Sequence, residues 1–270
     1  MTAWAARPGE VNPAVKARAT GLLQAVGSWT SGGAAAARDR ASASGYDPEL
    51  VDSLAFLTPT ADAAVTNFVD VQYGGILDDS ASVMAMAVQW YRATDGQIQR
   101  HGSTFDVRLE QADPHWKVTA IHPADPGVSA ASLSTLAQAA LSDSRIHFTD
   151  SARADVTAAQ IHDSVLQALD TLSKQHVLDV SVLRSGHPLL VFGTDRQSDH
   201  PHGRAADVWA IDGKAVVDPA NLDLVEAFMR EAAAVGPWQV GGPVDLDGPD
   251  KHMFFSDNTH HDHVHLGFHT

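Results

Sequence analysis

The sequence predicts an α+β chain of two domains, residues 1–125 and 130–270, on three observations. A helical apolar stripe near the N-terminus is followed by a series of alternating apolar segments, the pattern of a helix lying on an antiparallel sheet. A turn-rich break then comes at His122-Pro123-Ala124-Asp125-Pro126-Gly127. Beyond it, helices and short strands succeed one another without regular βαβ alternation, so the second part is α+β as well.

In the first part, Asn12 reads as an N-cap and Pro13 as the first helical residue. Val15, Ala19, Leu22 and Val26 then fall on one helical face. Ser31 to Ser44 is rich in Gly, Ala and Ser, and reads as a connection or a small-residue helix. Ala63 to Val71 and Ser80 to Ala93 have the β-branched and aromatic content of strands. Asp95-Gly96 marks a hairpin turn. Gln97 to Leu109 and Trp116 to Ile121 continue the alternation, so the strands form a meander. A helix on a curved antiparallel sheet resembles the NTF2-like cone fold over about the first 120 residues. That resemblance implies an accessory domain, which would bind a wall component or a protein partner or serve as a structural appendage.

In the second part, Ser132 to Leu141 reads as a short helix. Thr157-x-x-Gln160 reads as a capping box. It opens a helix over 158–175 whose inner face is Ile161, Val165, Ala168, Leu169 and Leu172. Strands are expected at Val177–Leu183, Leu189–Phe192, Asp207–Ile211 and His263–His269. Asp218-Pro219 caps a further helix carrying Leu222, Val225, Phe228, Met229 and Ala232, which Gly236-Pro237 ends.

Composition narrows the function. The net charge of −15 excludes the basic face that nucleic acid requires, and a hydrophobic fraction of 44% predicts a packed core. No stretch approaches a membrane span, so no membrane insertion is expected. With no cysteine, neither a disulfide nor a thiolate metal site can form. Residues 1–18 lack a signal-peptide core. The compartment stays open, with secretion or the cell envelope favoured if an export segment has been removed.

The densest chemistry lies at Ser198-Asp199-His200-Pro201-His202-Gly203-Arg204-Ala205-Ala206-Asp207 and at His260-His261-Asp262-His263-Val264-His265. A hydrolytic zinc centre needs three protein ligands and an open position, where the metal lowers the pKa of water. His200 and Asp207 bracket a turn in which Gly203 lets the backbone reverse. His265, on a separate strand, completes the set. Asp262, in the loop before that strand, is placed to take a proton from the water. His263 shares a strand face with His265 and can orient a ligand or the reacting centre.

Ser198-x-His200-x-x-Gly203-x-Ala205-x-Asp207 and Asp262-x-x-His265 resemble, in order, the two signatures of the M15 peptidases. That group contains D-alanyl-D-alanine carboxypeptidases, VanX/VanY-like dipeptidases and phage endolysin peptidases, and the match covers about residues 145–270. The resemblance implies Zn2+ held by His200, Asp207 and His265, with Asp262 as catalytic base and Ser198 bracing the first ligand loop. It also implies a peptidoglycan stem peptide as substrate, cut near D-amino-acid residues. The family's carbonyl-polarising Arg, normally in a Ser-Gly-Tyr-Arg context, has no direct counterpart. In Leu183-Arg184-Ser185-Gly186-His187, Arg184 is the candidate and Arg196 the reserve.

Other histidines, among them His101, His115, His122, His147, His162 and His176, read as structural. His202, His260 and His261 read as accidental neighbours or as lining of the cleft, and no role is assigned to them. Trp209 reads as core or, alternatively, as a wall of the pocket. A competing reading is a catalytically inactive zinc-stabilised binding module of the same fold, as in the hedgehog signalling domain.

Overall fold

The computed structural model describes residues 3–248 and 250–269. They divide into two compact units, one of residues 3–6 and 12–124, the other of Arg7–Val11 and the chain from Asp125 on. Both are mixed α+β. Among the described residues no helix is long and apolar enough to cross a membrane.

The first unit opens with α1 (Pro13–Gly27), whose Val15, Ala19, Leu22, Leu23 and Val26 are all fully buried. Asn12 stands at the cap position but in the left-handed region, φ 41°, and its side chain makes no cap bond. Its carbonyl instead accepts from the Val15 N–H at 3.1 Å and the Tyr73 hydroxyl at 3.0 Å. The small-residue stretch becomes α2 (Ala37–Ala43), and Arg40 donates to the carbonyls of Ala25 and Val26 at the end of α1. A 3-10 helix follows at Pro48–Leu57. Then β1 (Ala61–Ile76), β2 (Ser80–Ala93), β3 (Ile98–Ala112) and β4 (His115–Pro123) form an antiparallel meander in that order. Alternate residues of β2 and β3 (Val83, Ala85, Ala87; Phe105, Val107, Leu109) join α1 in one core. β1 runs five residues past its expected end. Gln72 and Tyr73 are fully buried there and pair with Met84 and Val83.

The second unit contains α3 (Thr135–Ser142), β5 (Ile146–Phe148), α4 (Asp150–Thr157), α5 (Asp163–Ser173), β6 (Leu178–Val182), β7 (Ala205–Ile211), β8 (Lys214–Ala215), α6 (Leu222–Ala233), β9 (Gln239–Gly241), β10 (Phe254–Phe255) and β11 (Val264–Gly267). The sheet runs β10-β9-β11-β7-β6-β5, with β8 on β7. α5 and α6 pack their apolar stripes against Val180, Ala206, Val208, Val264 and Leu266.

Two expectations fail here. Thr157 does not open a helix; it ends α4, and its hydroxyl donates to the Arg153 carbonyl at 2.8 Å. The chain then turns through Ala159, φ 55°, and α5 starts at Asp163 with His162 at the cap position. The apolar stripe from Val165 to Leu172 was legible, but residues 158–160 belong to the turn that closes α4. Leu189–Phe192 forms no strand either. It makes only the bridge Leu190↔Gln197, and Leu189 is 72% exposed, so no apolar burial holds it extended.

His176 illustrates the structural histidines. It meets Asp212 at 2.9 Å and Glu231 at 2.8 Å, tying the turn after β7 to α6. Burial acts to lower its pKa, but the hydrogen bonds and charges of Asp212 and Glu231 outweigh burial and the value is raised. A raised folded pKa stabilises fully below the unfolded value of about 6.5, and this contribution is lost as pH rises through the folded value. His176→Gln is therefore expected to cost roughly 1 kcal/mol at acidic pH, since both partners are partly exposed. It should cost less in mildly alkaline solution. Denaturant unfolding at the two pH values checks this; equal losses would remove the charge argument.

Candidate metal centre

Two neighbouring strands build the centre by simple alternation. On β7, Ala206 and Val208 enter the hydrophobic core, so Asp207 between them points to the opposite sheet face. On β11, Val264 and Leu266 enter the same core and His265 points away with Asp207. The antiparallel register sets His265 directly opposite Asp207.

His200 arrives from a short 3-10 turn, His200–His202, closed by Gly203 with φ 67°. A Cβ on Gly203 would lie 2.0 Å from the Gln160 carbonyl oxygen, so only glycine fits there. The Gly203 carbonyl in turn accepts from the His162 N–H at 2.9 Å. The His200 N–H donates to Ser198 Oγ at 3.3 Å, the bracing contact expected of Ser198. The His200 ring donates from Nδ1 to the Leu183 carbonyl at 2.8 Å, which leaves the Nε2 lone pair facing the centre.

Three atoms converge. His200 Nε2 lies 3.1 Å from Asp207 Oδ1 and 3.2 Å from His265 Nδ1, and His265 Nδ1 lies 3.0 Å from Asp207 Oδ1. All three residues are buried, so the lone pairs are crowded out of water and need a cation or shared protons between them. Tetrahedral zinc with bonds of about 2.1 Å spaces its ligand atoms about 3.4 Å apart. The observed spacing and the two-nitrogen, one-oxygen donor set fit such an ion. His and Asp groups able to hold a metal ion are thus present.

Charge is arranged around this point. Burial alone would raise the Asp207 pKa, but the charges of His200 and His263 and the hydrogen bonds of His200 and His265 hold it well below the usual carboxylate range. Burial, helped by the charges of His200 and His260, lowers His265 to about 4 against the pull of Asp207, keeping its nitrogen available as a ligand. His263 goes the other way. Burial opposes its charged form, but Asp207 and Asp262 prevail and raise it to about 9. Its Nδ1 is 2.7 Å from Asp262 Oδ1 and its Nε2 is 3.7 Å from Asp207 Oδ1. Asp262 lies in the loop just before β11, and is buried.

A cleft of about 470 Å³ opens beside the centre, with His265, His187, Arg196, Trp238, Phe255 and His260 among its lining residues. Arg184 is not among them. Its backbone N–H and that of Ser185 donate to Asp155 Oδ2, at 3.0 and 2.8 Å. Asp155 itself is fully buried, and burial raises its pKa against those bonds. Of the two arginines considered, the one lining the cleft is the reserve, Arg196, and Lys251 lines it as well. His202 is exposed and meets Gln197 at 2.7 Å, outside the centre.

Two contributors, His187 and Asp257, were not singled out in the sequence. His187 stacks on His200 with ring centroids 4.1 Å apart, and its ligand atom lies within 4.8 Å of those of His200 and Asp207. Burial, then the charge of His200, puts its pKa well below the ordinary imidazole value. Asp257 holds His260 against the cleft at 2.8 Å. Burial would raise the Asp257 pKa, but hydrogen bonds from the His260 ring and from the N–H groups of His260 and Thr259 bring it to about 2. Only the histidines at 260 and 187 were visible as residue types; their neighbours in space are set by loops. The chain matches no protein-family model and no curated protein.

Proposed function

We propose that the second unit is a zinc metallopeptidase that hydrolyses peptide bonds in bacterial cell-wall stem peptides, near D-amino-acid residues. The observation that carries this reading is the convergence of His200 Nε2, Asp207 Oδ1 and His265 Nδ1 within 3.2 Å of one another. It is joined by a buried Asp262–His263 pair and an adjoining cleft. His200, Asp207 and His265 would hold a zinc ion, which would supply Lewis acidity to bound water and to the substrate carbonyl. Asp262 takes the proton of the attacking water and passes it to the leaving amine, while His263 holds the Asp262 carboxylate in one orientation. Arg196 offers a positive charge to the substrate from the cleft wall. The substrate class rests on the two-part resemblance to M15 peptidases. The first unit, a helix on an antiparallel meander of the NTF2-like pattern, is proposed to hold a wall component or partner protein.

Metal analysis of the purified chain is expected to give one zinc per molecule. Mass spectrometry of defined stem peptides is expected to show cleavage that chelator abolishes and added zinc restores. Absence of stoichiometric zinc overturns the reading. Full zinc occupancy without turnover of any stem peptide would leave the binding-module reading in its place.

A further inference from the structure

We propose that Arg7–Val11 is a strap that forms part of the catalytic unit, with Glu10 and Val11 as positioning residues for Asp262. This inference rests on the metallopeptidase reading above. Although the strap is flanked in sequence on both sides by segments of the first unit, it belongs to the second.

The strap is fitted closely. The Arg7 guanidinium lies 4.7 Å from the centroid of the Trp209 ring, on β7 two residues beyond Asp207. Gly9 has φ +88°, and a Cβ there would stand 2.0 Å from the Val217 carbonyl oxygen. No other residue allows that backbone approach. The Val11 N–H donates to His261 Nε2 at 3.0 Å, while His261 Nδ1 donates to the Asn258 carbonyl at 2.6 Å. Both ring nitrogens are therefore committed, and the ring is a fixed wedge rather than a metal ligand.

Glu10 completes the arrangement. Its side chain is 2% exposed and its Oε2 is 3.8 Å from His261 Nε2. Side-chain atoms of Glu10, His261 and Asp262 lie within 4.8 Å of one another. Two carboxylates so close in a dry setting repel. Glu10 thus closes one side of Asp262, and the Asp262 carboxylate is turned to His263 at 2.7 Å. The strap acts on the base through position, and leaves the three metal ligands untouched.

The test uses the full chain. Glu10→Gln, which keeps the shape, and Gly9→Val, which lifts the strap, are expected to lower kcat roughly 10–100-fold. KM and zinc content should stay at their wild-type values. Glu10→Asp should recover part of the loss. In an Asp262→Asn background, Glu10→Gln should add no further loss, because the two act on one proton transfer. Wild-type kcat in both single variants, or losses that multiply in the double variant, overturn the proposal. Hydrogen exchange separates this from the peptidase reading. The Val11 amide should be protected in the wild-type chain and exposed in Gly9→Val. Free exchange in the wild type overturns the strap whatever the activity. Protection in a chain that cleaves nothing would mean that the peptidase reading has failed while the strap is docked.

Discussion

At the proposed zinc centre, Asp207→Asn is expected to abolish zinc binding and to lower kcat/KM by about a thousandfold or more. The substitution preserves shape and removes one charge at the point where three imidazoles meet. His200, His263 and His265 all lie within 3.7 Å of Asp207 Oδ1. An amide there is a poor zinc ligand and cannot balance a charged His263. Breaking a buried charge pair by removing one partner typically costs about 3–5 kcal/mol. Metal content, chelator sensitivity and thermal unfolding together check the result. Zinc retained at wild-type affinity would show that Asp207 is a structural carboxylate rather than a ligand.

Asp262→Asn should separate chemistry from metal binding. Zinc should remain at one per chain, since Asp262 is bonded to His263 and not to the three converging atoms. Turnover should fall roughly 10²–10⁴-fold, the usual contribution of a positioned general base. KM should change little, because the carboxylate acts on a proton and not on substrate binding. Full activity in this variant would remove Asp262 from the base role. Lost zinc would instead mean that the residue supports the centre structurally.

The proposed ligand set was legible in the sequence for a local reason. His200 and Asp207 sit seven positions apart across one turn, and strand alternation on β7 and β11 dictates which side chains leave the core. The meander of the first unit was legible for a related reason: alternate residues of β2 and β3, among them Val83, Ala85, Phe105 and Val107, enter one core, although both strands are buried along their middles. Distance in sequence marks what was not. His187 reaches His200 because Asp155, on α4, pins the backbone of Arg184 and Ser185. That same anchor is why the Arg184 position could not be read from its Ser-Gly neighbours. Glu10 lies some 250 residues from His261, and no local pattern announces such a pairing. The misplaced start of α5 has a third cause. Thr157 and Gln160 satisfy the capping-box spacing, but the preceding helix had already claimed Thr157.

The docking of Arg7–Val11 also recasts the gene order of the molecule. Residues 12–124 are, in effect, an insertion into the second unit, to which both Arg7–Val11 and the chain from Asp125 on belong. During synthesis the strap leaves the ribosome well before its seat, which includes Trp209, Val217 and His261. The first unit is free to fold in that interval, which shortens the loop that must close when the strap returns. The second unit therefore completes its packing only after Trp209, Val217 and His261 have all been made.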